Sequence, residues 1–237
     1  MTETPTPPVG SVGRHARPVV RRVEPADVNA LGACLARAFD DDPVSDYLFP
    51  NERTRRRRLE RYFEWQFTHV FLPKGEAWTT SDLAGVALWM PPRRHVPTVA
   101  EAIGQLFTAA RILGRHTGRA LRLLEQLEAV HPKIMHFYLG TIGTDPPRQG
   151  SGIGSALLRV VLDRLDEEAM PAYLESSKEE NLSFYHRHGF EVTGEVGEGK
   201  GNGRGVGPRI WLMWREPRPP DRPSSAPAPG SHPAQPA

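Results

Sequence analysis

Strand-like and helix-like segments alternate along this chain in the order β-α-α-β-β-α-α-β-α-β-α-β-β. That order predicts an α/β fold, a mixed central β-sheet flanked by helices, with a helical insert between an N-terminal hairpin and the central strand. Three observations carry the prediction. The run IMHFYLGTIGT (134–144) is apolar and aromatic and ends in Gly and Thr, as a buried strand does. It runs into the glycine-rich turn PPRQGSGIGS, after which Leu157, Leu158, Val161, Leu162 and Leu165 recur on one helical face. EAWTT and AGVALWM, split at Ser81-Asp82, read as a hairpin.

The remaining elements follow in order. PVVRRV (18–23) reads as a first strand. Asp27 opens a helix with Leu31, Cys34, Leu35 and Ala38 on one face. Asn51 and Glu52 mark a second helix over 52–71, in which Leu59, Tyr62, Phe63, Phe67 and Val70 keep helical spacing. Thr98 and Glu101 form a capping box ahead of a long helical region. That region carries Ile103, Leu106, Phe107, Ala110 and Leu113, then Leu121, Leu124 and Leu127, with breaks near Gly114 and Gly118. Beyond the glycine turn and its helix, PAYLES (171–176) is a strand and NLSFYHRH a short helix closed by Gly189. FEVTGEV and RIWLMW are the last two strands.

With 237 residues, 38% of them hydrophobic, the chain can bury the core of one domain. A formal charge of +2 gives no global field that would favour nucleic acid or a membrane as the main partner, and neither is expected. A single cysteine, Cys34, precludes an internal disulfide and suits a cytoplasmic location. It lies on an apolar helix face, as a buried small hydrophobe does. No apolar stretch approaches the about 20 residues of a membrane span, and the opening segment has no apolar h-region of a secretory signal. Residues 1–17 and 217–237 are rich in Pro and poor in apolar side chains and are expected to be disordered, leaving 18–216 as the folded unit.

A strand, a glycine turn and a helix N-terminus make an anion site, because backbone N–H groups converge there and the helix dipole favours negative charge. A phosphate-binding Walker loop needs Lys-Ser/Thr after its last glycine, whereas Ser155-Ala156 follows Gly154. A dinucleotide fingerprint is met by Gly150 and Gly152 but has Ser155 at its sixth position, and it sits too late in the chain to open a βαβ domain. The third version, Q/R-x-x-G-x-G/A, is matched by Gln149, Gly152 and Gly154. Here the chain resembles the GCN5-related N-acetyltransferases (GNAT), which grip the pyrophosphate of acetyl-coenzyme A with this loop.

The resemblance continues through YLESSKEENLSFYHRHGFEV, where Asn181, Tyr185, Gly189 and Phe190 fall on the family's pattern. It implies the GNAT fold, with a cofactor loop of Gln149, Gly150, Ser151, Gly152, Ile153, Gly154 and Ser155. It also implies an Asn181 side chain bonded to the pantetheine arm and Tyr185 as the general acid. A phenol within reach of a leaving thiolate can supply its proton; away from the pattern, Tyr185 reads as a core aromatic. Ile142, Gly143 and Thr144 are expected to pair with the pantetheine as an added strand would, and one of their N–H groups could stabilise the oxyanion. Glu175, at the end of AYLES, has two readings, a base that deprotonates the acceptor ammonium or a solvated, ion-paired carboxylate.

Segments RAFDDDP, AWTT…AGVALWMPP, HPKIMHFYLGTIGTDPPRQGSGIGSALL, MPAYLESSKEENLSFYHRHGFEVTGE and GPRIWLMWREP together resemble the puromycin N-acetyltransferase branch. That resemblance implies transfer to an amine of a small molecule, an aminoacyl-nucleoside or other antibiotic. It does not extend to VSDYLFPNERTRRRRLERYF in the acceptor half. Two other readings stand at this point, a non-catalytic acyl-coenzyme A-binding regulator and a protein or peptide N-acetyltransferase. Monomer and homodimer are both open.

Other constellations carry less. Arg53, Arg55 to Arg58 and Arg61 share a helix with Leu59, Tyr62 and Phe63 and read as a solvated basic face. Asp40, Asp41, Asp42 and Asp46 read either as an acidic lure for a cationic amine or as a polar loop with helix-capping aspartates. His131, His136, His186 and His188 lack the spacing of a metal site, and none is expected.

Overall fold

A computed structural model describes residues 18–92, 110–197 and 207–218. Residues 1–17 and 219–237 of the expected tails and the Thr98–Glu101 capping box, with Ile103, Leu106 and Phe107, lie outside the described residues; Arg218, placed in the second tail by the sequence, is described, and its amide donates to Asp166.

The strands form one sheet in the order β1-β2-β3-β4-β5-β7-β6. They are β1 (Val20–Arg22), β2 (Glu76–Thr80), β3 (Gly85–Met90), β4 (Phe137–Thr144), β5 (Ala172–Ser176), β6 (Glu191–Val196) and β7 (Ile210–Arg215). Every neighbour pair is antiparallel except β4 with β5. This is the expected mixed sheet flanked by helices.

On one face lie α1 (Val28–Ala38), α2 (Pro43–Leu48) and α3 (Glu52–Gln66). Leu31, Leu35, Leu59, Phe63 and Phe67 pack with Val86 and Leu88 of β3 into one core. The helix predicted over 52–71 is continuous but changes pitch, its last part Phe67–Phe71 being π-helical. The short helix α2 was not legible as such, although its signals are present: Asp42 accepts from the amides of Val44 and Ser45, and Pro43 stands at the first helical position. Gly114 (φ +57°) begins a 3₁₀ turn that breaks the insert as expected. Gly118 breaks nothing and lies within α4 (Thr117–Val130).

The other face carries α5 (Ile153–Glu167) and α6 (Leu182–Arg187). The predicted stripe Leu157, Leu158, Val161, Leu162 and Leu165 is buried against Phe137, Leu139, Ala172 and Leu174. Each such side chain contributes about 1.5–3 kcal/mol, so α5 is anchored along its length. The central strand begins at Phe137 and not at Ile134, because the Ile134 carbonyl is taken by His136 Nδ1 at 2.7 Å. No helix among the described residues is long and apolar enough to cross a membrane.

Candidate active site

The sheet opens in its middle. β4 and β5 keep register only at Phe137↔Ala172, Tyr138↔Tyr173 and Leu139↔Leu174, although β4 runs on to Thr144 and β5 to Ser176. Beyond Leu139 the β5-facing edge of β4 has no sheet partner among the described residues; the Thr144 carbonyl at its end accepts from Gln149 Nε2 at 3.2 Å, and the edge before it is open to an extended ligand. At the start of this gap β4 carries a bulge: Leu88 faces Thr141 and Trp89 faces Leu139, which leaves Gly140 as the extra residue. A side chain there would collide with Phe71, whose Cζ lies 2.7 Å from where a Cβ would stand.

The glycine turn closes one end of the gap. Gly150 (φ +76°) and Gly152 (φ +83°) both take the left-handed conformation that disfavours any side chain, and a Cβ at either would meet nothing within 4 Å. These glycines serve the path of the backbone and leave open space in front of it. The first i→i−4 bond of α5 runs from Ala156 N to Gly152 O at 3.0 Å. The amides of Ile153, Gly154 and Ser155 precede it and are left for an outside acceptor at the positive end of the helix. Gly154 is small for a different reason: a Cβ there would stand 3.1 Å from the Phe184 ring. Behind the turn, Arg37 grips Asp145 through two hydrogen bonds of 2.8 Å and holds its carboxyl below the usual carboxylate range.

One cleft of about 570 Å³ gathers Ile142 to Thr144, Gln149, Gly150, Gly152 to Ser155, Asn181 and Tyr185. Ser151 and Glu175 are not among the lining residues: Ser151 Oγ donates to the Arg148 carbonyl, and Glu175 sits in a cluster described below. Asn181 stands at the N-cap of α6 but makes no capping bond with its side chain, which leaves the amide for the cleft. Tyr185 is buried, its ring packed on Phe184 and Phe190, and its hydroxyl has no protein partner among the described residues. Burial, with the Asp42 carboxylate adding to it, holds the phenol above its ordinary pKa, so it keeps its proton at neutral pH.

The four acidic residues noted in the sequence are all engaged. Asp40 pairs with Arg56, Asp41 with Lys178 and Asp46 with Arg55. Asp42 caps α2 and accepts from Ser177 Oγ, and burial raises its pKa against those bonds. Only Asp42 is a helix cap and the other three are ion-paired, and the Asp41–Lys178 and Asp42–Ser177 contacts tie the β5–α6 loop to the α1–α2 loop at the cleft wall. Arg55 is itself buried and donates to the carbonyls of Phe49 and Asp40, so it staples this loop in place of belonging to a solvated face. Cys34 is buried as expected, its thiol pushed up to about 11 by burial.

Glu175 occupies a second cluster. Leu174 belongs to the α5-side core, so Glu175 next to it projects to the opposite sheet face, together with Tyr138 and Tyr173. Tyr138 Oη donates to Glu175 Oε2 at 2.9 Å and Tyr173 Oη to Oε1 at 3.1 Å. Burial and this carboxylate raise both phenols above the ordinary range. His131 Nδ1 stands 3.8 Å from Oε1, and its Nε2 lies 3.2 Å from His136 Nε2. Because His136 Nδ1–H points to the Ile134 carbonyl, a neutral His136 accepts at Nε2 from the Nε2–H of His131. A proton reaching Glu175 has an imidazole beside it. The Glu175 side chain is 11% exposed and so is not a solvated carboxylate, while His131 stands at ion-pair distance from it. Sequence reading weighed the two histidines only as metal ligands. Among the described residues no cluster of His, Cys, Asp and Glu has the form of a metal site.

An interrupted sheet whose gap ends on a glycine turn and a helix N-terminus, with an uncommitted phenol beside it, is the arrangement expected of an acyl-transfer domain. Comparison with known proteins agrees. Residues 98–192 match the model of the acetyltransferase (GNAT) domain. An uncharacterized N-acetyltransferase of Schizosaccharomyces pombe is 28% identical over 181 residues, covering 72% of this chain and 73% of the relative. A Corynebacterium glutamicum structure described as histone acetyltransferase HPA2 and related acetyltransferase superposes with a TM-score of 0.64 at 26% identity, over 86% of this chain and 99% of that one. Arylalkylamine N-acetyltransferase 2 of Aedes aegypti shares the fold, with a TM-score of 0.59 at 12% identity over 86% of this chain and 100% of that one. Over residues 98–192 the chain is similar to the GNAT acetyltransferase domain, and these similarities support an acetyl-coenzyme A-dependent N-acetyltransferase. The comparisons do not single out the puromycin N-acetyltransferase branch.

Proposed function

We propose that the domain, residues 18–216, transfers acetyl from acetyl-coenzyme A to the primary amine of a small molecule, both substrates being bound together. The observation that carries this reading is the cleft itself: the Tyr185 hydroxyl, without a protein partner, lies in the same cleft as the open amides of the glycine turn and the uncommitted Asn181 side chain. The cleft fits the coenzyme: the turn offers amides to a pyrophosphate and the unpaired edge of β4 offers backbone to an amide-bearing arm.

The coenzyme supplies the activated thioester, and the protein supplies the proton transfers around it. Glu175 takes a proton from the acceptor ammonium, directly or through one water, and His131 stands next to receive it. As the new C–N bond forms and the C–S bond breaks, Tyr185 gives its proton to the departing sulfur, and the second proton that the nitrogen sheds on becoming an amide restores the phenol. The raised pKa of the phenol suits a group that must arrive protonated.

A small acceptor is favoured by the setting of Glu175. Its carboxylate is enclosed by Tyr138, Tyr173 and His131, a narrow aromatic surround for a protein segment to enter. The likeness to the puromycin N-acetyltransferase branch supports an antibiotic-like amine and, with it, a resistance role. A protein acceptor is the second reading, supported by the histone acetyltransferase description of the Corynebacterium neighbour. The test is acetyl-coenzyme A turnover, followed by thiol release, on puromycin and related amines beside lysine peptides and free N-terminal peptides. Turnover of small amines alone supports the proposal, and turnover of peptides alone overturns it.

A further inference from the structure

A second hollow of about 360 Å³ adjoins the first, and Ser155 and Arg187 border both. It is lined by four arginines, Arg159, Arg187, Arg215 and Arg218, against two aspartates, Asp163 and Asp166, a surplus of two positive charges. Asp166 is consumed internally: Arg215 Nη2 donates to it at 2.6 Å and the Arg218 amide at 2.7 Å. Arg215 is 3% exposed and its Nη1 has no hydrogen-bond partner. Arg159 spends only Nε, on the Ser155 carbonyl of its own helix at 3.2 Å, which leaves its two terminal nitrogens. Arg187, the last residue of α6, has no side-chain partner among the described residues. The local field is felt by His188, held below its ordinary pKa first by burial and then by Arg159, Arg187 and Arg215.

The pyrophosphate of a bound coenzyme has the turn amides and Arg148 on its own side of this border. Arg159 stands one helical turn beyond Ser155 along α5, and Arg187 faces the same hollow from the end of α6. Coenzyme A carries one further anion, a phosphomonoester on the ribose, one nucleoside removed from the pyrophosphate. We propose that Arg159 and Arg187 bind this 3′-phosphate, with Arg215 beneath them keeping the floor of the hollow positive; the inference rests on the coenzyme reading of the adjoining cleft. Guanidinium groups suit a phosphomonoester because they can offer it paired N–H donors.

Titration calorimetry on the full chain, with coenzyme A and 3′-dephospho-coenzyme A as the two probes, tests it. The wild type is expected to prefer coenzyme A by about tenfold to a hundredfold, the range for hydrogen bonds to a charged group. Arg187→Ala and Arg159→Ala should each erode that preference while leaving the affinity for the dephospho form unchanged, and Arg187→Lys should restore part of it. Equal wild-type affinity for both probes overturns the proposal, and so does an Arg187→Ala loss that is the same for both. If the wild type binds neither probe, the coenzyme reading of the cleft falls, and this inference with it. Both arginines are surface side chains, and an unchanged melting temperature would show that the variants are folded.

Discussion

On the α5 side of the β4–β5 gap, binding is left to backbone: the edge of β4, the turn amides at positive φ and the first turn of a helix. On the other sheet face the groups on offer are side chains, a carboxylate held by two phenols with two imidazoles behind it. The difference follows from what each side must recognise. A backbone cradle can be written in a few contiguous residues, because glycine spacing alone sets the path of the chain. A side-chain pocket is assembled from residues far apart in sequence, each of which can be exchanged on its own.

Four substitutions probe that division, taken from the largest expected effect. Tyr185→Phe should lower kcat by about a hundredfold to ten-thousandfold, the range for a positioned general acid, with the acetyl-coenzyme A dissociation constant unchanged. Steady-state kinetics beside calorimetry checks both halves, and weakened cofactor binding would mean that Tyr185 belongs to the cradle and not to the chemistry. Glu175→Gln should cost about a hundredfold in kcat, near the lower end of that same range, because the amide can still accept from one phenol and, with the other hydroxyl turned, donate to it, but cannot take a proton. Retained activity would return Glu175 to a purely structural role.

Gly152→Ala tests the cradle from the backbone. A side chain at φ +83° costs about 1–2 kcal/mol, which should raise KM for acetyl-coenzyme A about tenfold and leave the acceptor KM alone. A change in both would show that the two sides are coupled through the turn. Asp145→Asn should be the mildest, about 0.5–1 kcal/mol of stability, since the Arg37–Asp145 pair is partly exposed at 40% and 22%. Its pH dependence has a definite sign. The Arg37 hydrogen bonds depress the Asp145 pKa in the folded state, so this contribution is present above about pH 4, the ordinary Asp value, and is lost as pH falls through the depressed one. Thermal melts should therefore show a larger difference between wild type and variant at pH 7 than at pH 3.

The same division decided how much was legible beforehand. The strand, glycine turn and helix from Phe137 to Glu167 were readable because apolar period, turn chemistry and helix stripe agree over one contiguous stretch. Asn181 and Tyr185 were singled out only by resemblance to a family pattern. What surrounds Glu175 was not: Tyr138 and Tyr173 meet only because β4 and β5 pair in parallel, and His131 arrives from the end of α4. The bulge at Gly140 and the π-helical turn at Phe67–Phe71 were hidden for a related reason, since the ring of Phe71 packs against Gly140 and neither segment announces the other. The α2 helix was the avoidable miss, as Asp42-Pro43 is an N-cap followed by proline at the first helical position.

The short β4–β5 pairing has a mechanical side. Between them these strands join two halves of the sheet, β1 to β4 and β5 to β7, across a seam only three register pairs long. Under load or heat a seam of that kind parts early, the more so because it opens on water from one end. A coenzyme lying in the gap, bonded to strand edge and turn alike, would act as a rivet across the weakest line of the domain.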